Sequence, residues 1–220
     1  MKKMIINLVF TLVLLFTVSS CNKNLSPSDD IDIPTDDKNF AINENANILV
    51  AYFSAPDNVN NSYVEVDGEK LGNTQYMACV IQKNTNANIF RILPITPYPT
   101  NHSELLKVAQ EEKNSNARPK IKDEIDDFDK YDVFFVGYPN WNSDLPNIMY
   151  TFFDNYDFSN KIIIPFITHG GSGFSKTRET IKKLEPNATM GEGLSISRNN
   201  IKNSEQTIVN WIIKLGYKKD

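Results

Sequence analysis

Residues Asn47 to Gln75, NILVAYFSAPDNVNNSYVEVDGEKLGNTQ, contain the features that decide the fold. They begin with an unbroken apolar run, Ile48–Phe53, as expected of a strand that is buried on both faces of a sheet. A helical pattern begins at Gly72-Asn73-Thr74, and the N-terminus of a helix favours anionic groups such as phosphate. A long polar segment separates Ser54 from Gly72. The question is whether this segment destroys a phosphate site or is only inserted beside one.

The rest of the chain alternates between short apolar runs and amphipathic stretches. The later runs are 89–93, 133–138, 162–167 and 193–196, and the predicted helices are 74–83, 103–112, 145–156, 176–184 and 204–215. This alternation predicts an α/β fold with a five-stranded parallel sheet that is covered by helices on both faces. Ligands in such folds bind beyond the carboxyl ends of the strands. We therefore expect the loops after strands one, three and four to carry the function.

The N-terminal part of the chain has the composition of a targeting segment followed by a linker. Two lysines precede an apolar run, Ile5–Val18, which is short for a membrane span. The small residues that lead to Cys21 resemble the lipobox of bacterial lipoproteins, in which the cysteine is lipidated. An ordinary signal peptide with an incidental cysteine is the alternative. We expect residues 1–20 to be a lipoprotein signal peptide and residues 21–46 to be the lipidated Cys21 with a flexible acidic tether.

The expected folded domain spans residues 47–220 and would be exported and anchored to a bacterial membrane, on its periplasmic or extracellular face. The formal net charge of the chain is −4, which gives no support for nucleic-acid binding. Apart from Cys21 the chain has one cysteine, Cys79, so an internal disulfide is not expected. No cysteine and histidine cluster has metal-ligand spacing, and we expect no metal site.

Two further loops have unusual sequences. The loop after strand three, GYPNW at 137–141, places Trp141 either as a stacking platform for a planar ligand or folded down onto the core. The loop after strand four, THGGSGF at 168–174, contains three glycines, which let backbone N–H groups approach a ligand closely. Three glycines interleaved with threonine, histidine and serine exceed what a tight turn requires.

Four motifs at strand ends, AYFS, GNT, GYPNW and THGGSGF, together resemble the flavodoxin family, in particular its flavodoxin-like lipoproteins. The resemblance extends from Asn47 to Tyr217. It implies a flavodoxin-like three-layer sandwich whose five-stranded parallel sheet has the order 2-1-3-4-5. It also implies noncovalent FMN as cofactor, with the phosphate in the first loop and the isoalloxazine ring between the second and third loops.

The resemblance assigns roles to residues of all three loops. In the first loop, the phosphate would be bound by Ser54, Asn73 and Thr74. In the second, the ring would be flanked by Pro139, Asn140 and Trp141, with Trp141 as stacking partner. In the third, the polar edge of the ring would be lined by Thr168, His169, Gly170, Gly171 and Gly173. His169 would be either a proton donor to the reduced flavin or a structural residue that bonds within its loop.

The segment between Ser54 and Gly72 departs from the family, whose phosphate loop is usually uninterrupted. Asp67-Gly68 lies between alternating residues, which is the strongest short-range signal for a β-hairpin. A hairpin returns the chain to its starting point, so Ser54 and Thr74 can still contact one phosphate. We therefore expect a small hairpin insert after strand one, and expect that deletion of Asp57–Glu69 preserves FMN binding.

Two other classes of protein are excluded by missing residues. Ser172 lies in a near match to the nucleophile motif of serine hydrolases, but such enzymes need a later histidine and none follows His169. A response regulator would carry a phosphorylatable aspartate at the end of strand three, where Gly137-Tyr138-Pro139 stands.

Three functions remain open. The protein is an FMN electron carrier, an FMN enzyme such as an NAD(P)H:quinone reductase, or an envelope lipoprotein that keeps the fold without the cofactor. The sequence identifies neither the electron donor nor the acceptor.

Overall fold

The computed structural model describes residues 45–59 and 61–217. The predicted signal peptide, the lipidated Cys21 and the tether as far as residue 44 lie outside the described residues, so these expectations stay predictions. Within the described part of the chain, none of the helices is long and apolar enough to cross a membrane.

Within the described residues, eight strands and five α-helices form the domain. The strands are β1 (Ile48–Tyr52), β2 (Tyr63–Val66), β3 (Glu69–Gly72), β4 (Asn88–Arg91), β5 (Val133–Pro139), β6 (Ile162–His169), β7 (Thr189–Met190) and β8 (Leu194–Ser197). The helices are α1 (Asn73–Thr85), α2 (His102–Ser115), α3 (Asn147–Asn155), α4 (Thr177–Leu184) and α5 (Glu205–Lys214). All five predicted helices are confirmed, with bounds that differ by a few residues.

The central sheet is parallel and has the order β4-β1-β5-β6, with β7 and β8 both pairing with the far edge of β6. With β7 and β8 counted as one interrupted fifth strand, this is the predicted order 2-1-3-4-5. The prediction of strand five at 193–196 matches β8 and misses β7. The interruption includes Gly193, where a Cβ would stand 2.8 Å from the carbonyl oxygen of Pro165, so the backbone approaches β6 too closely there for a side chain.

The predicted hairpin insert is confirmed as a separate two-stranded sheet of β2 and β3. Its turn residues, Asp67 and Gly68, have φ values of 50° and 83°. Two positive φ values in succession are characteristic of the tight turns that suit the twist of a hairpin. Val64 of β2 is buried in the core on the face of the sheet that α1 and α5 cover, and it attaches the hairpin to the domain.

Alternate residues of the strands build two cores, one on each face of the sheet. Val50 and Phe135 point to the face covered by α1 and α5, where they pack with residues such as Trp211. Leu49 and Phe134 point to the opposite face and pack with residues of α3 and α4. Burial on both faces explains why the central runs lack polar alternation. The ends of β1, β5 and β6 consequently lie side by side.

Candidate functional site

The first loop brings the end of β1 to the start of α1. Ser54 is buried two residues after the end of β1, and Gly72 is the last residue before α1. A Cβ at Gly72 would overlap the Ser54 hydroxyl and stand 3.1 Å from Cδ of Pro56. The hairpin therefore leaves and returns at nearly the same point, and the insert does not separate Ser54 from the helix.

Two buried hydroxyls join the first loop to the end of β6. The Oγ1 atoms of Thr74 and Thr168 are 2.9 Å apart and form a hydrogen bond. Thr74 lies in the first turn of α1, where the backbone N–H groups lack intrahelical acceptors and carry a partial positive charge. This end of the site combines hydroxyls with helix N–H groups, a set of donors that suits an oxyanion.

The second loop follows β5 and begins level with the third, because Pro139 is paired with Thr168 in the sheet. Trp141 and Asp144 close a tight turn through two backbone hydrogen bonds of 3.1 and 2.9 Å. The Trp141 ring is partly buried and makes edge contacts with Phe53 and Tyr98, at 5.4 and 5.2 Å between ring centroids. The indole is thus anchored to the core and also lines the cavity.

The third loop is held by Asn140 and by His169. The side-chain amide of Asn140 donates to the carbonyl of Gly173 at 2.8 Å, and its backbone N–H donates to Thr168 at 2.8 Å. The Nδ1 atom of the buried His169 accepts from the N–H of Gly171 at 2.9 Å. His169 therefore bonds within its own loop, as the structural alternative for this residue predicts.

A cavity of about 340 Å³ lies where these three loops meet. It lies at the lower end of the range of small-molecule and cofactor sites, roughly 300–1,000 Å³. Nine of the eleven predicted ligand-binding residues line it: Ser54, Asn73, Thr74, Pro139, Asn140, Trp141, Thr168, His169 and Gly170. Gly171 and Gly173 are outside this lining. Their φ values of 130° and 55° lie in a region that glycine adopts readily, so these two residues shape the turn.

One wall of the cavity was not foreseen from the sequence. It is a face of α2 formed by His102, Leu105, Leu106 and Ala109, at the spacing of successive helical turns. The amphipathic pattern of α2 predicts the helix but not that part of its apolar face borders a cavity instead of the core.

The insert also contributes lining residues, among them Asp57 and Ser62. Asp57 is 2.5 Å from Nδ1 of His102, and it accepts from the N–H of Val59 at 2.9 Å. Burial acts to raise the pKa of Asp57, but the hydrogen bonds from His102, Val59 and Ser62 outweigh it and the pKa is lowered. Deletion of Asp57–Glu69 would remove these lining residues, so that deletion is too large to leave the cavity intact.

Two polar features lie at or beside the cavity. The Oδ1 atom of Asn140 is buried and has no hydrogen-bond partner among the residues that the structure describes. Arg198, which follows β8, adds a positive charge to the lining. The lining of the cavity thus includes an aromatic ring and a cation. Within the described residues there is no cluster of histidine, cysteine and carboxylate side chains suited to a metal ion.

Comparison with known proteins agrees with this architecture. The family model described as Flavodoxin matches residues 47–215. A solved structure described as a flavoprotein from Bacteroides eggerthii is 28% identical, with a TM-score of 0.63, and the match covers 79% of this chain and all of that one. A second, from Bacteroides uniformis, is 25% identical with a TM-score of 0.60, over 76% of this chain and 98% of that one.

A more distant structure shares the fold. It is a flavoprotein in complex with FMN from Lactobacillus acidophilus, 15% identical with a TM-score of 0.52, matched over 73% of this chain and 99% of that one. No curated protein shows a significant match to the chain.

Proposed function

The chain belongs to the flavodoxin family, and from this membership we propose that it is an FMN-binding redox protein that acts at the cell envelope. The single observation that supports the proposal best is the cavity at the ends of β1, β5 and β6, which nine residues of the three motif loops line. FMN, when bound, accepts and donates electrons through its ring system. The protein provides binding, orientation and exclusion of water.

The donors of the first loop suit the phosphate of FMN. Ser54, Thr74 and Thr168 bring three hydroxyls to one end of the cavity, and all three residues are buried. Hydrogen bonds to a charged acceptor contribute about 1.5–3 kcal/mol each. The first turn of α1 adds N–H groups and the positive end of its dipole.

The second loop and α2 suit a planar ring. Trp141 offers an aromatic surface whose orientation is fixed by its contacts with Phe53 and Tyr98. Asn140, another lining residue, holds the neighbouring glycine loop in place through its side-chain amide. Leu105 and Ala109 of α2 give the cavity an apolar wall that excludes water. These groups fit a flavin ring with one polar edge.

Tryptophan fluorescence tests this proposal with one reporter. The chain has two tryptophans, and Trp211 is buried in the core away from the cavity, against Phe135. Trp211→Phe therefore leaves Trp141 as the sole tryptophan emitter. Titration of this variant with FMN is expected to quench the emission saturably, and the complex should show flavin absorption bands.

The control for the titration is a change of Trp141 itself. Trp141→Ala is expected to weaken FMN binding about tenfold, and Trp141→Phe less, because stacking of an aromatic ring is worth about 1–3 kcal/mol. A colourless protein whose Trp141 emission does not respond to FMN would reject the redox function and favour a fold that is retained without the cofactor.

The two redox roles, carrier and reductase, are separated by a turnover assay. The FMN-loaded protein is supplied with NADH or NADPH and a quinone. Steady oxidation of the nicotinamide would assign a reductase. Without such oxidation, reversible one-electron steps in a potentiometric titration would assign an electron carrier that docks its donor and acceptor in turn.

Attachment to the envelope is the second part of the proposal and rests on the sequence before residue 22. Lipidated Cys21 would anchor the domain to a membrane through the tether of residues 22–46. Metabolic labelling with a radioactive fatty acid is expected to mark the protein and to follow the membrane fraction. Cys21→Ser should abolish the label, and an unlabelled wild-type protein would contradict the lipoprotein assignment.

A further inference from the structure

We propose that Arg198 binds the phosphate of the cofactor and makes the site selective for a phosphorylated flavin over an unphosphorylated one. This inference rests on the proposed function and assigns a role to a residue that lies outside all the motif loops. Three features support it: the position of the turn after β8 that contains Arg198 and Asn199, the connection of this turn to α1, and the charge of the cavity.

Arg198 is placed by the pairing of β8 with β6. Its backbone N–H donates to the carbonyl of His169 at 2.8 Å, directly after the pair formed by His169 and Ser197. The side chain then extends beside Gly170, where a Cβ would stand 3.7 Å from Nε of Arg198 and 3.8 Å from Cζ. The guanidinium is therefore beside Gly170, and Arg198 belongs to the cavity lining.

The insert connects the Arg198 turn to the first residue of α1. The side-chain amide of Asn61 donates to Oδ1 of Asn199 at 2.9 Å. The backbone carbonyl of the same Asn61 accepts from Nδ2 of Asn73 at 2.7 Å. One residue of the insert thus bridges Asn199, the neighbour of Arg198, and Asn73, the first residue of α1. The turn that contains Arg198 therefore lies close to the start of this helix.

Within residues 45–59 and 61–217, no carboxylate neutralises the positive charge of Arg198. Among the described residues, no ion pair within 4.0 Å includes Arg198. Among the described residues, the cavity lining contains one acidic residue, Asp57, and its side chain is bonded to His102. A guanidinium at a cavity that is also lined by hydroxyl groups, with no carboxylate partner among the described residues, is suited to a phosphate, which it binds through two parallel hydrogen bonds.

The phosphate contact predicts selectivity between two flavins that share the same ring. FMN and riboflavin differ by the phosphate, so a residue that contacts the phosphate changes the affinity for FMN alone. Binding of both flavins is measured by fluorescence titration of the full protein, of Arg198→Gln and of Arg198→Lys. Arg91→Gln, at an exposed arginine of β4 outside the cavity lining, is the matched control.

Arg198→Gln is expected to weaken FMN binding at least about tenfold, because charge-assisted hydrogen bonds to the phosphate are lost. Riboflavin binding is expected to change less than about twofold. Arg198→Lys should recover part of the affinity, since it restores the charge without the paired donors. Unchanged riboflavin binding also shows that the variant is folded.

Two outcomes would overturn the inference. If Arg198→Gln keeps the wild-type ratio of FMN to riboflavin affinity, the residue does not contact the phosphate, and the proposed function stands without it. If the wild-type protein binds neither flavin, the proposed function fails and the assignment of Arg198 fails with it.

Discussion

The hydroxyl of Ser54 occupies the space in which a side chain on Gly72 would lie, although a complete hairpin separates the two residues along the chain. The end of β1 and the start of α1 are therefore packed together as closely as if no insert were present. This contact explains how a flavodoxin fold accepts added residues at its phosphate loop and keeps the geometry of the loop.

A methyl group at Gly72 should disrupt this contact. Gly72→Ala is expected to lower the free energy of unfolding by about 1–3 kcal/mol, the usual cost of overpacking, and to weaken FMN binding. Urea denaturation measures the first effect. Ser54→Ala combined with Gly72→Ala removes the hydroxyl that clashes and should recover part of the stability. Gly170→Ala is the control for the denaturation measurement alone, because its nearest neighbour would be at 3.7 Å.

The outer part of the hairpin should be dispensable for binding. Removal of residues 65, 66, 69 and 70 keeps the Asp67-Gly68 turn and brings the paired Val64 and Leu71 next to it, with the alternation of the strands unchanged. FMN affinity is expected to stay within about twofold of the wild type, because no removed residue lines the cavity. A large loss of affinity would show that the hairpin tip positions the phosphate loop.

The five helices and the hairpin could be predicted because each has a local signal, whereas the sheet order was implied only by the resemblance to the flavodoxin family. Asp67-Gly68 predicts the turn of the hairpin. The central strands are recognised by unbroken runs of apolar residues, which are buried on both faces of the sheet. Nothing local distinguishes Arg198 or His102 from other polar residues of the surface. Their positions follow from the register of β8 on β6 and from the packing of α2, which are long-range properties. Asn61 was missed for the same reason, since its partners are distant in the chain.

Stability should also depend on Glu185, outside the site. Burial raises the pKa of Glu185 to about 7, and the neighbouring carboxylates of Asp157 and Asp154 act in the same direction, against a hydrogen bond from Phe158. Because the pKa of Glu185 is raised in the folded state, the contribution of this residue to stability is complete below the unfolded value of 4.5. That contribution is lost as pH rises toward 7.

Glu185→Gln removes this titration. The variant is expected to be more stable than the wild type at pH 8, by about 1 kcal/mol after allowance for solvent screening, and nearly equal to it at pH 4. Thermal unfolding across this range measures the difference. Glu124→Gln, in an exposed loop, is the control. A gain that is the same at pH 4 and pH 8 would rule out the raised pKa as its cause.

The pair of Asp57 and His102 should hold the insert against α2 with the opposite pH dependence. Besides the side-chain contact of 2.5 Å, the N–H of His102 donates to Oδ1 of Asn58 at 3.0 Å, so the insert covers the start of the helix. Because the pKa of Asp57 is lowered on folding, its contribution is complete above the usual value of 3.8 and is lost as pH falls through the lowered value.

Asp57→Asn is therefore expected to cost about 2 kcal/mol at pH 7, the typical worth of a hydrogen bond to a charged group, and progressively less below pH 4. A double-mutant cycle with His102→Gln separates the pair from other effects, and its coupling energy should decline over the same range of pH. The exposed Asp123→Asn serves as control. FMN affinity should fall in Asp57→Asn as well, because a detached insert no longer completes the cavity wall. A cost that is the same at pH 3 and pH 7 would show that the carboxylate charge does not hold the insert in place.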